Sequence, residues 1–295
     1  MSELKICIVG IGLIGGSIGL ALKKELRDKV CISGLDKNRE TLRIAVERGA
    51  VDMATSDYAQ AVKDADIIFL STPVLQIGPM VEKILPFIKS GAVITDTGST
   101  KQFIWQQLRK ILPPDIYYVA GHPMAGKEHS GIKAADANLF KNKCYVIVED
   151  TGAPRKVVHK ICSILKLTGA NITTLDIAKH DRCASIISHV PHVTAAALVT
   201  LLNHNKNDIE ANLKLAGGGF KDTTRIASSN ADMWADICMS NPEAIMAHLE
   251  ELKEIIDTVI IDIKNKNREN IYDYFYEAKE RRDKILDKTH NLFEI

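Results

Sequence analysis

From the N-terminus to about residue 176, short apolar, β-branched runs alternate with segments whose apolar positions recur at helical spacing. The runs are KICIVG (5–10), VCISGLD (30–36), ADIIFLST (65–72), GAVITDTGS (91–99), IYYVAGHP (116–123), KCYVIVED (143–150) and NITTLD (171–176), and each reads as a strand. Helical patterns lie between them, from about Gly15 to Leu26, over ETLRIAVERGA (40–50) and over APRKVVHKICSILKLTG. This alternation implies right-handed crossovers and a parallel, doubly wound α/β sheet. Runs such as DIIFL, apolar throughout, suit strands covered on both faces.

Beyond residue 177 the pattern changes to helix alone. IAKHDRCASIISHVPHVTAAALVTLLNH, NPEAIMAHLEELKEIIDTVIIDIKNKN and ENIYDYFYEAKERRDKILDK contain no convincing strand. Ile245, Leu249, Leu252, Ile256, Val259 and Ile260 fall at helical spacing. The expected organisation is an α/β domain over residues 1–176 and an all-helical domain over 177–295, joined directly from strand to helix. At 295 residues, two domains are also what surface-to-volume scaling favours.

Composition narrows the function classes. Lys plus Arg (38) and Asp plus Glu (37) nearly cancel and form no basic tract, so no nucleic-acid partner is expected. The six cysteines, at 7, 31, 144, 162, 183 and 238, contain no CxxC pair, which suits reduced thiols in a cytoplasmic protein. The N-terminus lacks the parts of a signal peptide, and no uninterrupted apolar run approaches the ~20 residues of a membrane span. A soluble protein without a membrane partner is the expectation.

The first strand runs into Gly10-x-Gly12-x-x-Gly15, directly before a helix. Gly10 permits the tight turn, Gly12 lets backbone approach a pyrophosphate, and Gly15 allows close helix–strand packing. The helix start then offers free N–H groups to phosphates. Asp36 closes the second strand about 20 residues further on, suited to accept from both ribose hydroxyls and to repel a 2′-phosphate. NAD is therefore expected over NADP, although Lys37 and Arg39 lie close by. Gly10, Gly12, Leu13, Ile14, Gly15 and Asp36, with Ser71, Thr72 and Pro73 at the end of the third strand, form the expected cofactor set.

Ligands of such sheets lie beyond the carboxyl ends of the strands. Ser71-Thr72-Pro73, Asp96-Thr97-Gly98-Ser99 and Gly121-His122-Pro123 all end strands and so converge on one crevice. The last of these opens the polar loop GHPMAGKEHSG (121–131). His122 and His129 there lack the further ligands a zinc site needs, so no metal is expected.

VGIGLIGGS (9–17), DTGSTK (96–101), GHPMAGKEHSG (121–131), SHVPH (188–192) and GGGFKDTTRIASSNADMWADI (217–237) together resemble the prephenate/arogenate dehydrogenase family of tyrosine biosynthesis. The resemblance implies a Rossmann-type NAD domain followed by a helical dimerisation domain, and a homodimer. It also implies NAD-dependent oxidative decarboxylation of prephenate to 4-hydroxyphenylpyruvate, with arogenate as the alternative substrate. Chemistry of this kind needs a neutral imidazole beside the substrate's ring hydroxyl.

The resemblance assigns that role to His122, with Ser99 sharing the hydroxyl; an N-cap of the following helix is the other role open to Ser99. It gives Arg225 a substrate carboxylate and His192 a substrate contact, with His189 satisfied in the helical packing. Lys221 and Trp234 are expected at the pocket, Lys221 with a neighbouring subunit's site as its alternative and Trp234 with the core as its alternative. Glu128 is expected near the pocket mouth, Lys127 departs from the family pattern, and His129 carries no role. A β-hydroxyacid dehydrogenase accounts for the Gly217-to-Lys221 spacing but not for GHPMAG, and a non-catalytic dinucleotide sensor leaves the polar set unexplained. No regulatory domain or chorismate mutase bundle is expected, so inhibition by tyrosine would be competitive at the active site.

Overall fold

The computed structural model describes residues 3–127, 129–204 and 208–292. The chain divides into two compact units, residues 1–242 and 243–295. In the first, strands β1 (Leu4–Val9), β2 (Val30–Leu35), β3 (Met53–Thr55), β4 (Ile67–Leu70), β5 (Val93–Asp96), β6 (Tyr117–Pro123), β7 (Cys144–Val148) and β8 (Asn171–Leu175) form one sheet in the order β3-β2-β1-β4-β5-β6-β7-β8.

The strands from β1 to β6 are parallel to their neighbours, with β1 flanked by β2 and β4. Reversal of the winding direction at β1 opens a crevice beyond the carboxyl ends of β1 and β4. Along β1, Ile6 and Ile8 join one buried cluster while Cys7 and Val9 join the other. The first cluster receives Ile18 and Leu22 of α1 (Leu13–Leu26), Ile44 of α2 (Arg39–Glu47) and Ile161 and Leu165 of α6 (Arg155–Lys166). The second receives Val62 of α3 (Tyr58–Val62), Val81 and Ile84 of α4 (Ile77–Ile84) and Ile104 and Leu108 of α5 (Gln102–Ile111). Unbroken apolar strands are therefore the expected consequence of cover on both faces.

Two features depart from the sequence expectation. The three-residue β3 has no apolar run of its own and exists through pairing of Ser33, Gly34 and Leu35 with Met53, Ala54 and Thr55. In addition, β7 runs antiparallel to β6, with His122 opposite Val146, while β8 stays parallel to β7. A parallel return needs a crossover to the other end of the sheet, usually a helix. The connection at 124–143 contains no α-helix among its described residues, only a 3₁₀ turn at Ile132–Ala134, and the chain re-enters the sheet from the end where β6 leaves it.

That connection is pinned to the face of the sheet that carries α1 and α2. The Arg48 guanidinium donates to the carbonyls of Ile132 (2.8 Å), Lys133 (2.6 Å) and Ala135 (2.8 Å). The Asp136 N–H donates to Ser17 Oγ at 2.9 Å, and Ile132 packs so closely on Gly16 that a Cβ there would lie 2.5 Å from its Cδ1.

The same unit continues through α7 (Ile177–Ala184) and α8 (Val190–His204), joined by a π-turn at Ser185–His189. Pro191 follows that turn; it has no N–H for the Ile187 carbonyl, and its ring would crowd a regular α-turn. The wider turn, in which the Val190 N–H donates to the Ser185 carbonyl, accommodates it without breaking the helix. By length and composition Ile177–Leu202 is apolar enough to cross a membrane, although polar residues interrupt its apolar stretches. Its His180, Asp181 and His189 are buried against protein groups. Helices α9 (Ile209–Leu215), α10 (Gly218–Thr224) and α11 (Ala231–Ser240) complete the unit. The second unit holds the long helices α12 (Pro242–Lys264, which begins at the boundary) and α13 (Arg268–Leu292).

Replacing Arg48 by alanine leaves three carbonyls without their charged donor, at a cost of about 1–3 kcal/mol. Limited proteolysis should then cut within 124–143 at protease concentrations that leave the wild type intact.

Candidate active site

The turn from β1 into α1 has the geometry a dinucleotide requires. Gly10 sits at φ +85°, and a Cβ there would lie 2.7 Å from the Ser71 carbonyl oxygen. A Cβ on Gly15 would lie 2.2 Å from the Gly10 carbonyl, whereas one on Gly12 meets no protein atom within 4 Å. Gly10 and Gly15 therefore serve close packing, and Gly12 keeps open the approach to the N-terminus of α1. That N-terminus has no side-chain cap and no acidic residue in its first turn, which leaves its N–H groups for an anion. Leu13 and Ile14 begin the helix half-buried.

Asp36 lies half-buried beside this turn. It accepts from the Ile11 N–H at 3.1 Å and the Asn38 N–H at 2.9 Å. A carboxylate has about four lone-pair sites, so it keeps capacity for ribose hydroxyls. At the end of β4, Ser71 Oγ and Thr72 Oγ1 are buried without a hydrogen-bond partner, and Pro73 follows them on the surface. Unpaired buried hydroxyls facing an open glycine turn fit a ligand that brings its own polar groups.

Beyond β5 and β6 the site is organised by a buried ion pair. The Lys101 ammonium donates to Asp96 Oδ2 and, at 2.6 Å, to the Gly121 carbonyl. Both charged side chains are 0% exposed, so water contributes nothing to their solvation. Asp96 also accepts from the Tyr118 hydroxyl (2.8 Å) and from the N–H groups of Gly98 (2.9 Å) and Gly121 (3.1 Å). Burial lowers the Lys101 pKa, against the opposing pull of Asp96.

His122, the penultimate residue of β6, is buried beside this knot. Its Nδ1 lies 2.9 Å from His180 Nε2, and His180 Nδ1 lies 2.7 Å from Asp181 Oδ1. Burial, reinforced by His180, Lys101 and His189, holds the His122 pKa well below the usual imidazole range. The ring is therefore a neutral base at neutral pH. Asp181 also accepts from the N–H groups of Lys101 and Gln102, each at 2.8 Å. It thus caps α5 from another helix, which corrects the alternative of Ser99 as N-cap. The N-cap position belongs to Lys101, and Ser99 lies half-buried between the end of β5 and that helix.

A second group forms along α8 and α11. His192 Nδ1–H donates to the Ser188 carbonyl at 2.8 Å, and its ring stacks on Trp234 at 3.8 Å. Burial first, and then the charge of Arg225, lowers the His192 pKa, opposed by the Ser188 bond, so Arg225 belongs to the same neighbourhood. Lys221 is exposed on α10, one turn before Arg225. His189 links the two groups: its Nδ1 is 3.3 Å from Asn241 Nδ2, its ring is edge-on to Trp234 at 6.1 Å, and Asn241 Nδ2 donates to the Asp181 carbonyl. The expectation of a His189 satisfied by packing is half wrong, since its Nε2 has no partner, and neither does Trp234 Nε1.

Not every expected residue joins. Glu128 lies outside the described residues. His129 is exposed, and Lys127 pairs with Asp136 at 2.9 Å. Among the described residues no group of His, Cys, Asp or Glu could hold a metal. Sequence reading missed Lys101, His180, Asp181 and Asn241. The local signal for His180 and Asp181 is slight, because they sit between Lys179 and Arg182 in a polar run that reads as a solvated helix start.

Comparison with known proteins completes the picture. Residues 18–174 match the family model described as "Prephenate dehydrogenase, nucleotide-binding domain", and residues 176–277 match "Prephenate dehydrogenase, dimerization domain". The prephenate dehydrogenase of Bacillus subtilis is 37% identical over 96% of this chain and 77% of its own length. Among solved structures, the Aquifex aeolicus prephenate dehydrogenase in complex with hydroxyphenyl propionate and NAD+ superposes with a TM-score of 0.89 at 31% identity, over 97% of this chain and 99% of that one. Synechocystis arogenate dehydrogenase gives a TM-score of 0.82 at 30% identity, over 96% of this chain and 100% of that one.

Two measurements probe the electrostatics. Lys101→Met strands the buried Asp96 carboxylate and should cost about 3–5 kcal/mol in denaturant unfolding. The histidines make acid destabilising as well. His189, held at about 4 by burial, stays neutral in the folded chain while the unfolded chain takes up its proton near 6.5. Its stabilisation is complete above 6.5 and is lost as pH falls toward about 4, with His122 acting in the same direction. The melting temperature should fall through this window.

Proposed function

The chain belongs to the prephenate dehydrogenase family, and from that premise we propose that it oxidatively decarboxylates prephenate to 4-hydroxyphenylpyruvate and carbon dioxide with NAD. The observation that carries the reading is His122, a buried neutral imidazole at the crevice end of a nucleotide-binding sheet. The cofactor is held by Gly10, Gly12, Leu13, Ile14 and Gly15 at its phosphates, Asp36 at its ribose, and Ser71, Thr72 and Pro73 toward its reactive ring. When bound, the nicotinamide supplies the hydride acceptor. Asp36 favours NAD over NADP because a carboxylate repels a 2′-phosphate.

His122 accepts a hydrogen bond from the substrate's ring hydroxyl and draws its proton as the carbon–oxygen bond gains double-bond character. Ser99 holds the same hydroxyl. Departure of the ring carboxylate as carbon dioxide leaves its electron pair to complete the aromatic ring, and the phenolate oxygen recovers the proton from His122. Arg225 binds a substrate carboxylate in its fork. His192, its ring oriented by Ser188 and Trp234, forms the adjoining wall, with Lys221 at the mouth. The low His122 pKa keeps it in the accepting form across the physiological range.

The working form we propose is a homodimer of a cytoplasmic protein. Ile187 (65% exposed) and Leu201 (57%) of the α7–α8 helix, and Phe275 (64%) of α13, leave apolar surface for a second copy to cover. The six free thiols suit a reducing compartment. Residues 1–176 serve nucleotide binding and residues 177–295 serve substrate binding and dimerisation.

Assay of the purified protein with prephenate or arogenate, each with NAD or NADP, tests the reading. Prephenate with NAD should give the highest kcat/KM. Preference for arogenate, as the name of the Synechocystis relative would suggest, would transfer the assignment to that substrate. His122→Asn should lower kcat about 10²–10⁴-fold with little change in KM. Arg225→Ala should raise KM about 10–100-fold, the value of a charged hydrogen bond.

A further inference from the structure

We propose that Asp181 and His180 are positioning residues that fix which ring nitrogen of His122 carries the hydrogen, so that Nε2 is presented to the substrate as the acceptor. The inference rests on the reading of His122 as the base. It follows from donor and acceptor counting along three side chains.

Asp181 is the fixed end of the chain. Its Oδ1 accepts from the Lys101 N–H and its Oδ2 from the Gln102 N–H, both at 2.8 Å. Its backbone carbonyl is held by Asn241 at 2.9 Å. An ionised carboxylate only accepts, so at 2.7 Å His180 Nδ1 must donate to it. A His180 that carries its single N–H at Nδ1 presents a bare lone pair at Nε2 to His122 Nδ1, 2.9 Å away. Only a His122 hydrogen on Nδ1 satisfies that pair; the other tautomer would set two lone pairs against each other. His122, His180 and Asp181 are 8%, 2% and 5% exposed, so water does not enter to repair a mismatch.

The same chain serves the proton step. When Nε2 takes the hydroxyl proton, the positive ring keeps its Nδ1–H bond to His180, and a carboxylate stands behind. The charged and titratable groups facing His122 do not favour a cation: His180 itself, Lys101 at the head of α5 and His189 in the π-turn all oppose its charging, with Asp96 of β5 paired to Lys101. Asp181 is thus the carboxylate that the ring addresses through a hydrogen-bonded partner, which makes the pair a means of orienting the base. The arrangement has the logic of a carboxylate–imidazole pair that selects a tautomer, extended by one imidazole.

The test uses His180→Leu and His180→Gln in the full chain, with Asp181 retained so that α5 keeps its cap. A glutamine carbonyl can replace the Nε2 lone pair; leucine cannot. Imidazole ¹⁵N spectra of the ligand-free protein, assigned with His122→Asn, report the tautomer directly. The wild type should show His122 with hydrogen on Nδ1. In His180→Leu that signal should become a mixture of tautomers, and kcat should fall about 10²-fold or more while KM stays within about twofold. His180→Gln should keep the wild-type tautomer and recover most of kcat. A wild-type hydrogen on Nε2 would overturn the proposal, as would equal loss in both variants with the tautomer unchanged. If the wild type turns over neither prephenate nor arogenate, the proposed function fails, yet the ¹⁵N spectra still decide the tautomer.

Discussion

A lysine without solvent access needs a reason to be charged, and for Lys101 the reason is Asp96. Burying either ion alone would cost several kcal/mol. Together they offset much of that cost: the ammonium donates to Asp96 and the Gly121 carbonyl, and Lys101, Tyr118, Gly98 and Gly121 supply four donors to the carboxylate. The partners come from the end of β5, the length of β6 and the head of α5. The pair therefore locks three elements where the site begins. His122 is the residue after Gly121, and Lys101 carries the N–H that Asp181 accepts. The placement of His122 is inherited from this knot.

The helical segment supplies the rest through an irregularity. A regular helix across Ser185–His189 would crowd Pro191, and the π-turn absorbs that conflict. The same continuous helix carries His180 and Asp181 before it, His189 at its end and His192 just after it. These side chains reach the ends of the sheet on one side and Trp234 on the other. A helix apolar enough to resemble a membrane span is, in this fold, the support for four polar site groups.

Much of this was legible in the chain. Covered strands read as apolar runs, the glycine turn reads as a phosphate-binding turn, and a strand end places His122 at the crevice, with its role given by the family resemblance. Some residues gave weaker signals. Lys101 reads as an ordinary surface lysine, because nothing local shows that its ammonium will meet Asp96 away from water. His180 and Asp181 read as the solvated start of a helix. Their partners, His122 and the backbone of Lys101 and Gln102, are far away in sequence, and only the packed fold brings them within 3 Å.

Local order determined what lies within one element or one turn: the alternation of β and α, the glycine conformations, the capping residues and the family signature. These follow from backbone sterics and from periodic burial, which act over a few residues. Tertiary structure alone decided the antiparallel β7, the capping of α5 by Asp181 in place of Ser99, and the orientation of the His122 ring. Each depends on a hydrogen bond or a chain reversal between segments far apart in sequence. In the unfolded chain water satisfies those groups equally well, and only burial makes one pairing compulsory.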